Sequence, residues 1–172
     1  MLLIRNGKLF TMEGENYLDG ADILIQEGKI AAVGRNLSAP GAKAIDATGQ
    51  YVMPGIVDAH SHIGMWEDGI GEEGSDGNEI TDPVTPQLRA LDAINPADRS
   101  FVEAYEHGVT LVATGPGSAN VIGGQFVAMK TFGKNMDDMV VAEPLAMKSA
   151  FGENPKRCYG GKGKMPETRM AT

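Results

Sequence analysis

The stretch that most limits what this chain can become is Val-Met-Pro-Gly-Ile-Val-Asp-Ala-His-Ser-His-Ile-Gly at residues 52–64. Apolar Ile56 and Val57 lead into two histidines one residue apart, His60 and His62. In a strand, residues two apart share a face, so the two imidazoles stand about 7 Å apart at the backbone. Rings at that spacing can turn onto one metal ion at about 2.1 Å each. Asp58 falls on the same face. Pro54 and Gly55 suit the start of a buried strand, where no ladder donor is needed. Read by itself, the triplet leaves a second reading open, a pair of loop histidines with no ligand.

The totals remove several classes. A length of 172 residues suits one domain, or one domain with a small accessory piece, and 42% apolar residues supports a core. No window approaches 18 consecutive apolar residues, and no basic region precedes an apolar stretch at the N-terminus. Neither a membrane span nor a cleaved leader is therefore expected. A net charge of -8 disfavours nucleic acid and anionic membrane as partners. Cys158 is the single cysteine, so no internal disulfide forms and a reducing cytoplasm is the expected location.

Residues 1–53 read as a small antiparallel β unit. Short strands fall at residues 2–4, 8–12, 22–26, 30–33, 43–45 and 50–52, with hairpin turns at Asn6-Gly7 and Glu27-Gly28. Past the histidines, residues 64–82 carry seven acidic side chains and no Lys or Arg, which reads as a loop beside a site or a solvated flap. A helix is expected from residues 95–97 to Gly108, with Phe101, Ala104 and Tyr105 on its apolar face and His107 capping its carbonyl end. A buried strand at residues 109–113 then completes a strand–helix–strand order, the signature of a parallel sheet.

The Gly-rich run at residues 114–125 follows that strand. Its amides can approach a phosphate or carboxylate, although it lacks a Walker or dinucleotide spacing. Asn120 and Gln125 are candidate pocket contacts, with loop self-capping as the alternative. Short strands are expected at residues 125–131, 139–143 and 145–150. The last is a buried run carrying Lys148, which is costly unless paired, modified or pointing outward. Residues 152–164 read as a basic loop in which Lys156 and Arg157 are candidates for binding an anionic substrate group. A helix is expected to start at about residue 165.

A β unit, then the Val-Met-Pro-Gly-Ile-Val-Asp-Ala-His-Ser-His run, then alternating β and α elements resembles the start of the amidohydrolase superfamily. The Gly108-Val109-Thr110 strand entry and the Gly117–Gly124 loop resemble its imidazolonepropionase-related branch. The resemblance implies residues 54–172 as the first part of a (β/α)8 TIM-like barrel, preceded by residues 1–53 as part of a composite β-sandwich. It implies one or two divalent metals, most often zinc, at the strand C-termini, with His60 and His62 as ligands of one ion. It implies hydrolysis of a C–N bond in a small molecule (a cyclic amide, an amidine or a dipeptide-like bond) by a metal-activated water. Lys148 is the candidate for a carbamylated lysine that bridges two metals.

The departures from that pattern matter as much. The family uses two further histidines and an aspartate from later strands, whereas this chain has three histidines in all, and His107 is misplaced. A full barrel takes about 250 residues, and about 120 follow Pro54. An N-terminal portion with no complete catalytic set and an open sheet edge is therefore expected. Its partners would be a complementing C-terminal half or a second copy in a homo-oligomer. The competing readings are a catalytically silent binding or assembly subunit, and a phosphate-binding module built on Gly115–Gly124.

Overall fold

The computed structural model describes residues 1–14 and 17–172, in two units, Met1–Pro54 and Gly55–Thr172. The first holds β1 (Leu2–Leu9), β2 (Leu18–Gln26), β3 (Lys29–Gly34), β4 (Lys43–Asp46) and β5 (Tyr51–Val52). They form one sheet in the order β3-β2-β1-β4, with β5 also beside β1. β2 and β3 run antiparallel to their neighbours, but β4 and β5 both pair with β1 in parallel. The sheet is therefore mixed, not antiparallel.

The Asn6-Gly7 hairpin does not form. β1 continues through both residues, Asn6 takes φ 61°, and the register against β2 slips between Ile4 and Gly7, which makes the pair a bulge. The bulge turns the Asn6 amide onto buried Asp22 Oδ1 at 3.0 Å, while Leu37 N donates to Asp22 Oδ2 at 2.9 Å. An Asn-Gly pair supplies positive φ, and a bulge uses that as readily as a turn. Glu27-Gly28 does turn the chain, with φ values of 49° and 74°. One face of the sheet buries Leu9, Ala21 and Ile23 against Ile4, Ile25 and Val52.

The second unit holds β6 (Ile56–Ser61), α1 (Arg99–Glu106), β7 (Val109–Thr114), β8 (Ile122–Lys130), α2 (Met136–Met139), β9 (Val140–Ser149) and α3 (Glu153–Gly160). Its sheet runs β6-β7-β8-β9. β6 and β7 are parallel, and the long crossover between them carries α1. Asp98 caps α1 by accepting from Ser100 N, so the helix starts a little later than expected. At its other end His107 Nδ1–H donates to Glu103 O at 2.8 Å, and Gly108 takes φ 85°. Phe101 packs the helix onto a core of Met65, Ile94, Val112, Val127 and Met129.

The parallel order ends there. β8 runs antiparallel to β7, and β9 antiparallel to β8. A parallel return needs a dozen or more residues of crossover, and the segment between β7 and β8 is too short to hold one. β6, expected to be buried, is an edge strand among the described residues, with Ile56 and Val57 exposed. The two short strands expected at residues 139–150 are one, β9, and its expected burial is inverted. Leu145 and Met147 are 45% and 44% exposed, whereas Lys148 is 7% exposed. The expected basic loop is largely α3, with Pro155 inside its first turn, where a missing N–H costs nothing. The tail forms only a short 3-10 turn at Arg169–Ala171. No helix among the described residues is long and apolar enough to cross a membrane.

A buried hydroxyl ties α3 to the rest of the unit. Tyr159, fully buried, has its OH 2.8 Å from Asp82 O and 3.0 Å from Asn120 Oδ1. Burial pushes the phenol up to about 12. The neutral hydroxyl's contribution is thus complete below pH 10 and lost as the pH climbs through about 12. Tyr159→Phe is expected to lower unfolding stability by about 1–3 kcal/mol, because it removes the hydroxyl's hydrogen bonds and leaves buried Asn120 Oδ1 without that donor. Urea titration should read that loss at pH 7, and a smaller fall in stability for the variant than for the parent protein between pH 10 and 12.

Candidate metal centre

His60 sits on β6 and His62 one residue past its end, so both rings project where that strand finishes. The ring centroids are 5.2 Å apart and nearly perpendicular, at 80°. Asp58, expected on the same face, turns back instead and accepts from His60 N at 3.1 Å. His62 Nδ1 lies 2.7 Å from Gly115 O. A carbonyl can only accept, so Nδ1 carries the proton and Nε2 keeps a free lone pair. The strand pairing makes this contact: Ser61 is opposite Thr114 in the β6–β7 ladder, so the next residue of β7 meets the histidine.

Lys148 reaches the same place from β9. Its Nζ is 3.3 Å from His60 Nε2 and 5.9 Å from the centre of the Phe126 ring. An ammonium only donates, so His60 Nε2 accepts. Burial lowers the Lys148 pKa from its ordinary value of 10.5, and no ion pair to the amine exists among the described residues. Phe126 also lies 5.7 Å from the His60 ring, so His60, Phe126 and Lys148 line one open pocket with Ala113, Ala146 and Met147.

The donors present fit part of a zinc shell: two imidazoles whose rings lie 5.2 Å apart, and an amine made less basic by burial. They are not a full set. Among the described residues no group of three or more His, Cys, Asp or Glu side chains converges.

The remaining candidates lie elsewhere. Asn120 is buried, with its amide donating to Thr85 Oγ1 at 2.9 Å and Asp82 O at 3.1 Å. Gln125 Nε2 donates to Pro86 O at 3.1 Å. Lys156 pairs with Glu153 at 2.9 Å, and Arg157 contacts Asn154 at 3.4 Å, both within α3. The Gly-rich run is no anion cradle. Amides of Gly115, Gly117, Ala119 and Ile122 are given to Ser61 O, Gly77 O, Asn78 Oδ1 and Pro83 O.

Neither Phe126 nor Trp66 entered the reading of the sequence. Trp66 stands 5.3 Å from His62 at 69°, in the acidic loop. Its signal was visible: it is the single tryptophan, four residues past His62, in a stretch otherwise poor in aromatics. The acidic loop itself is folded back on its own backbone, with Glu67 N donating to Gly74 O at 3.0 Å and Asp76 N to Met65 O at 2.9 Å.

Comparison with known proteins shows a consistent pattern. A solved amidohydrolase from Thermotoga maritima MSB8 superposes with a TM-score of 0.93 at 45% identity, over 99% of this chain and 44% of that one. The amidohydrolase tasK of Hapsidospora irregularis is 35% identical over 164 residues, 87% of this chain and 17% of that protein. A D-hydantoinase from Geobacillus stearothermophilus is 52% identical over 63 residues, 37% of this chain and 13% of that protein. This chain thus spans less than a fifth of the length of these two curated relatives. No protein-family model matches.

The Lys148 shift has a definite sign. With its pKa lowered in the folded state and near 10.5 when unfolded, the unfolded chain binds more protons between those values. Stability is therefore expected to rise with pH across that window and to be depressed below it. Lys148→Met should flatten this rise in metal-free protein, read as urea midpoints from pH 7 to 10.5.

Proposed function

We propose a function from the premise that this chain belongs to the amidohydrolases: it is part of a metal-dependent hydrolase of carbon–nitrogen bonds, with His60 and His62 holding one divalent ion, zinc. The observation that carries this reading is the Lys148 Nζ to His60 Nε2 distance of 3.3 Å across the sheet. It supports a second role, in which Lys148 condenses with carbon dioxide. The neutral amine nitrogen would bond to the carbon as one C–O π bond opens and a proton leaves the nitrogen, giving a carboxylate that could serve as a metal ligand beside His60 and His62. A bound ion there supplies a Lewis acid and an acidified water.

This chain's residues do the rest of what can be derived. His62, fixed by Gly115 O, presents Nε2 without a tautomer change. Burial lowers the Lys148 pKa, which favours the neutral, reactive form, and the Phe126 ring lies 5.9 Å from its Nζ. Asn120, Gln125, Lys156 and Arg157 take no part in this reading, since each is engaged by neighbouring backbone or side chains. Three of the four strands in the sheet run the same way, with β8 as the exception, which suits the wall of a barrel. The unit Met1–Pro54, a single sheet, is read as one layer of a composite β-sandwich. The proposed substrate is a small cyclic amide, amidine or dipeptide-like compound, hydrolysed in the cytoplasm. Ligands beyond the two histidines and Lys148, and the catalytic acid–base group, come from further polypeptide or from a partner chain.

Metal analysis tests this directly. Protein equilibrated with zinc and then dialysed is expected to retain the ion, and His60→Ala/His62→Ala protein to lose it. Equal zinc in the two preparations would overturn the proposal.

A further inference from the structure

The His62 ring is held by more than the Gly115 carbonyl. Trp66 stands against it edge-on, and the indole is itself seated in a slot that only glycines leave open. A Cβ at Gly77 would lie 2.0–2.4 Å from three atoms of the indole's six-membered ring, and one at Gly117 would lie 2.9 Å from the same ring. Those two glycines belong to different loops, which are joined across the slot: Gly117 N donates to Gly77 O at 2.8 Å, and Ala119 N to Asn78 Oδ1 at 3.1 Å. The loop of Gly117 also carries Gly115, whose carbonyl holds His62 Nδ1–H. Hydrogen bond and indole thus act on one imidazole from one stitched pair of loops. Without the indole, rotation of the ring about its Cβ–Cγ bond would break the Gly115 bond and reorient Nε2.

We propose that Trp66 is the positioning residue of His62: seated between Gly77 and Gly117, it locks the imidazole in the one orientation that points Nε2 at the metal site, and so couples the acidic loop at residues 64–82 to metal affinity. This rests on the reading of His62 as a metal ligand. The orientation itself exists without metal and can be measured without it. Trp66 touches neither substrate nor ion in this role and acts only through His62.

The test uses the full chain, metal-free, with ¹⁵N-labelled histidine. In the parent protein the His62 Nδ1–H is expected as a slowly exchanging NMR signal with a fixed Nδ1–H tautomer. Trp66→Ala should lose that signal, while His107 keeps its own signals as an internal control for folding. Trp66→Phe, which retains an aromatic edge, should largely restore it. Zinc titration should then show about tenfold weaker binding for Trp66→Ala, at the lower end of the 10–100-fold typical of ligand-orienting neighbours, and near-parent binding for Trp66→Phe. A His62 Nδ1–H signal that persists unchanged in Trp66→Ala overturns the inference. Absence of zinc binding by the parent protein, with the NMR result as expected, instead overturns the metal reading and leaves the orientation role standing.

Discussion

The bond from His62 Nδ1–H to Gly115 O is the contact on which the site depends, and it exists because β6 and β7 are parallel and set Ser61 opposite Thr114. Parallel strands finish at the same edge of a sheet, so the residue after Thr114 arrives beside the residue after Ser61. That edge is anchored from below. Thr114 Oγ1 donates to Ile63 O at 2.9 Å, Gly115 N donates to Ser61 O, and the crossover is pressed onto β7 through Phe101. An antiparallel neighbour would place a strand start there, and no carbonyl would be turned toward the ring in the same way.

Much of this was legible in the sequence, and what was not follows a physical rule. The His-x-His strand, helix α1 with its His107 cap and the strand after it were readable because each depends on local chemistry: a two-residue period, a cap, a glycine of positive φ. The Asn6-Gly7 bulge was misread because the same positive φ serves a turn or a bulge, and the choice is made by Asp22, sixteen residues away. The sense of β8 was misread because apolar strands look alike in either direction. Only the short connection before it argued for an antiparallel return, and the glycines there drew attention to a ligand. They serve packing: a Cβ on Gly124 would lie 2.6 Å from Leu88 O.

The loops around the site are held as a framework. Tyr159 and Asn120 together fix Asp82 O, Lys164 Nζ reaches Thr81 O at 2.8 Å, and Arg89 joins Asp92 to Glu143 of β9. Residues from α3, from the Gly-rich run and from the acidic loop therefore share one hydrogen-bonded hub. An acidic stretch that looks like a solvated flap in sequence is tied down by Tyr159, by two lysine side chains and by backbone. Most of its charges are exposed at no great cost, and its single aromatic, Trp66, is 38% exposed and lies with one side against the histidine.

Lys148 is the residue whose placement most needs a chemical reason. The β8–β9 register sets Gly124 opposite Lys148 and Phe126 opposite Ala146, and the lysine stem packs closely over Gly123, where a Cβ would lie 3.3 Å from its Cγ. The apolar residues flanking it, Leu145 and Met147, face out. The polar one is buried, the reverse of what burial energy alone would select. Among the described residues no carboxylate pairs with the amine, and its one polar contact is His60. A buried cation facing a neutral imidazole is a poor arrangement for stability. A buried amine converted to an anion beside two imidazole lone pairs and a divalent ion is a good one. The cost visible at Lys148 is the physical observation that supports the proposed role of this lysine.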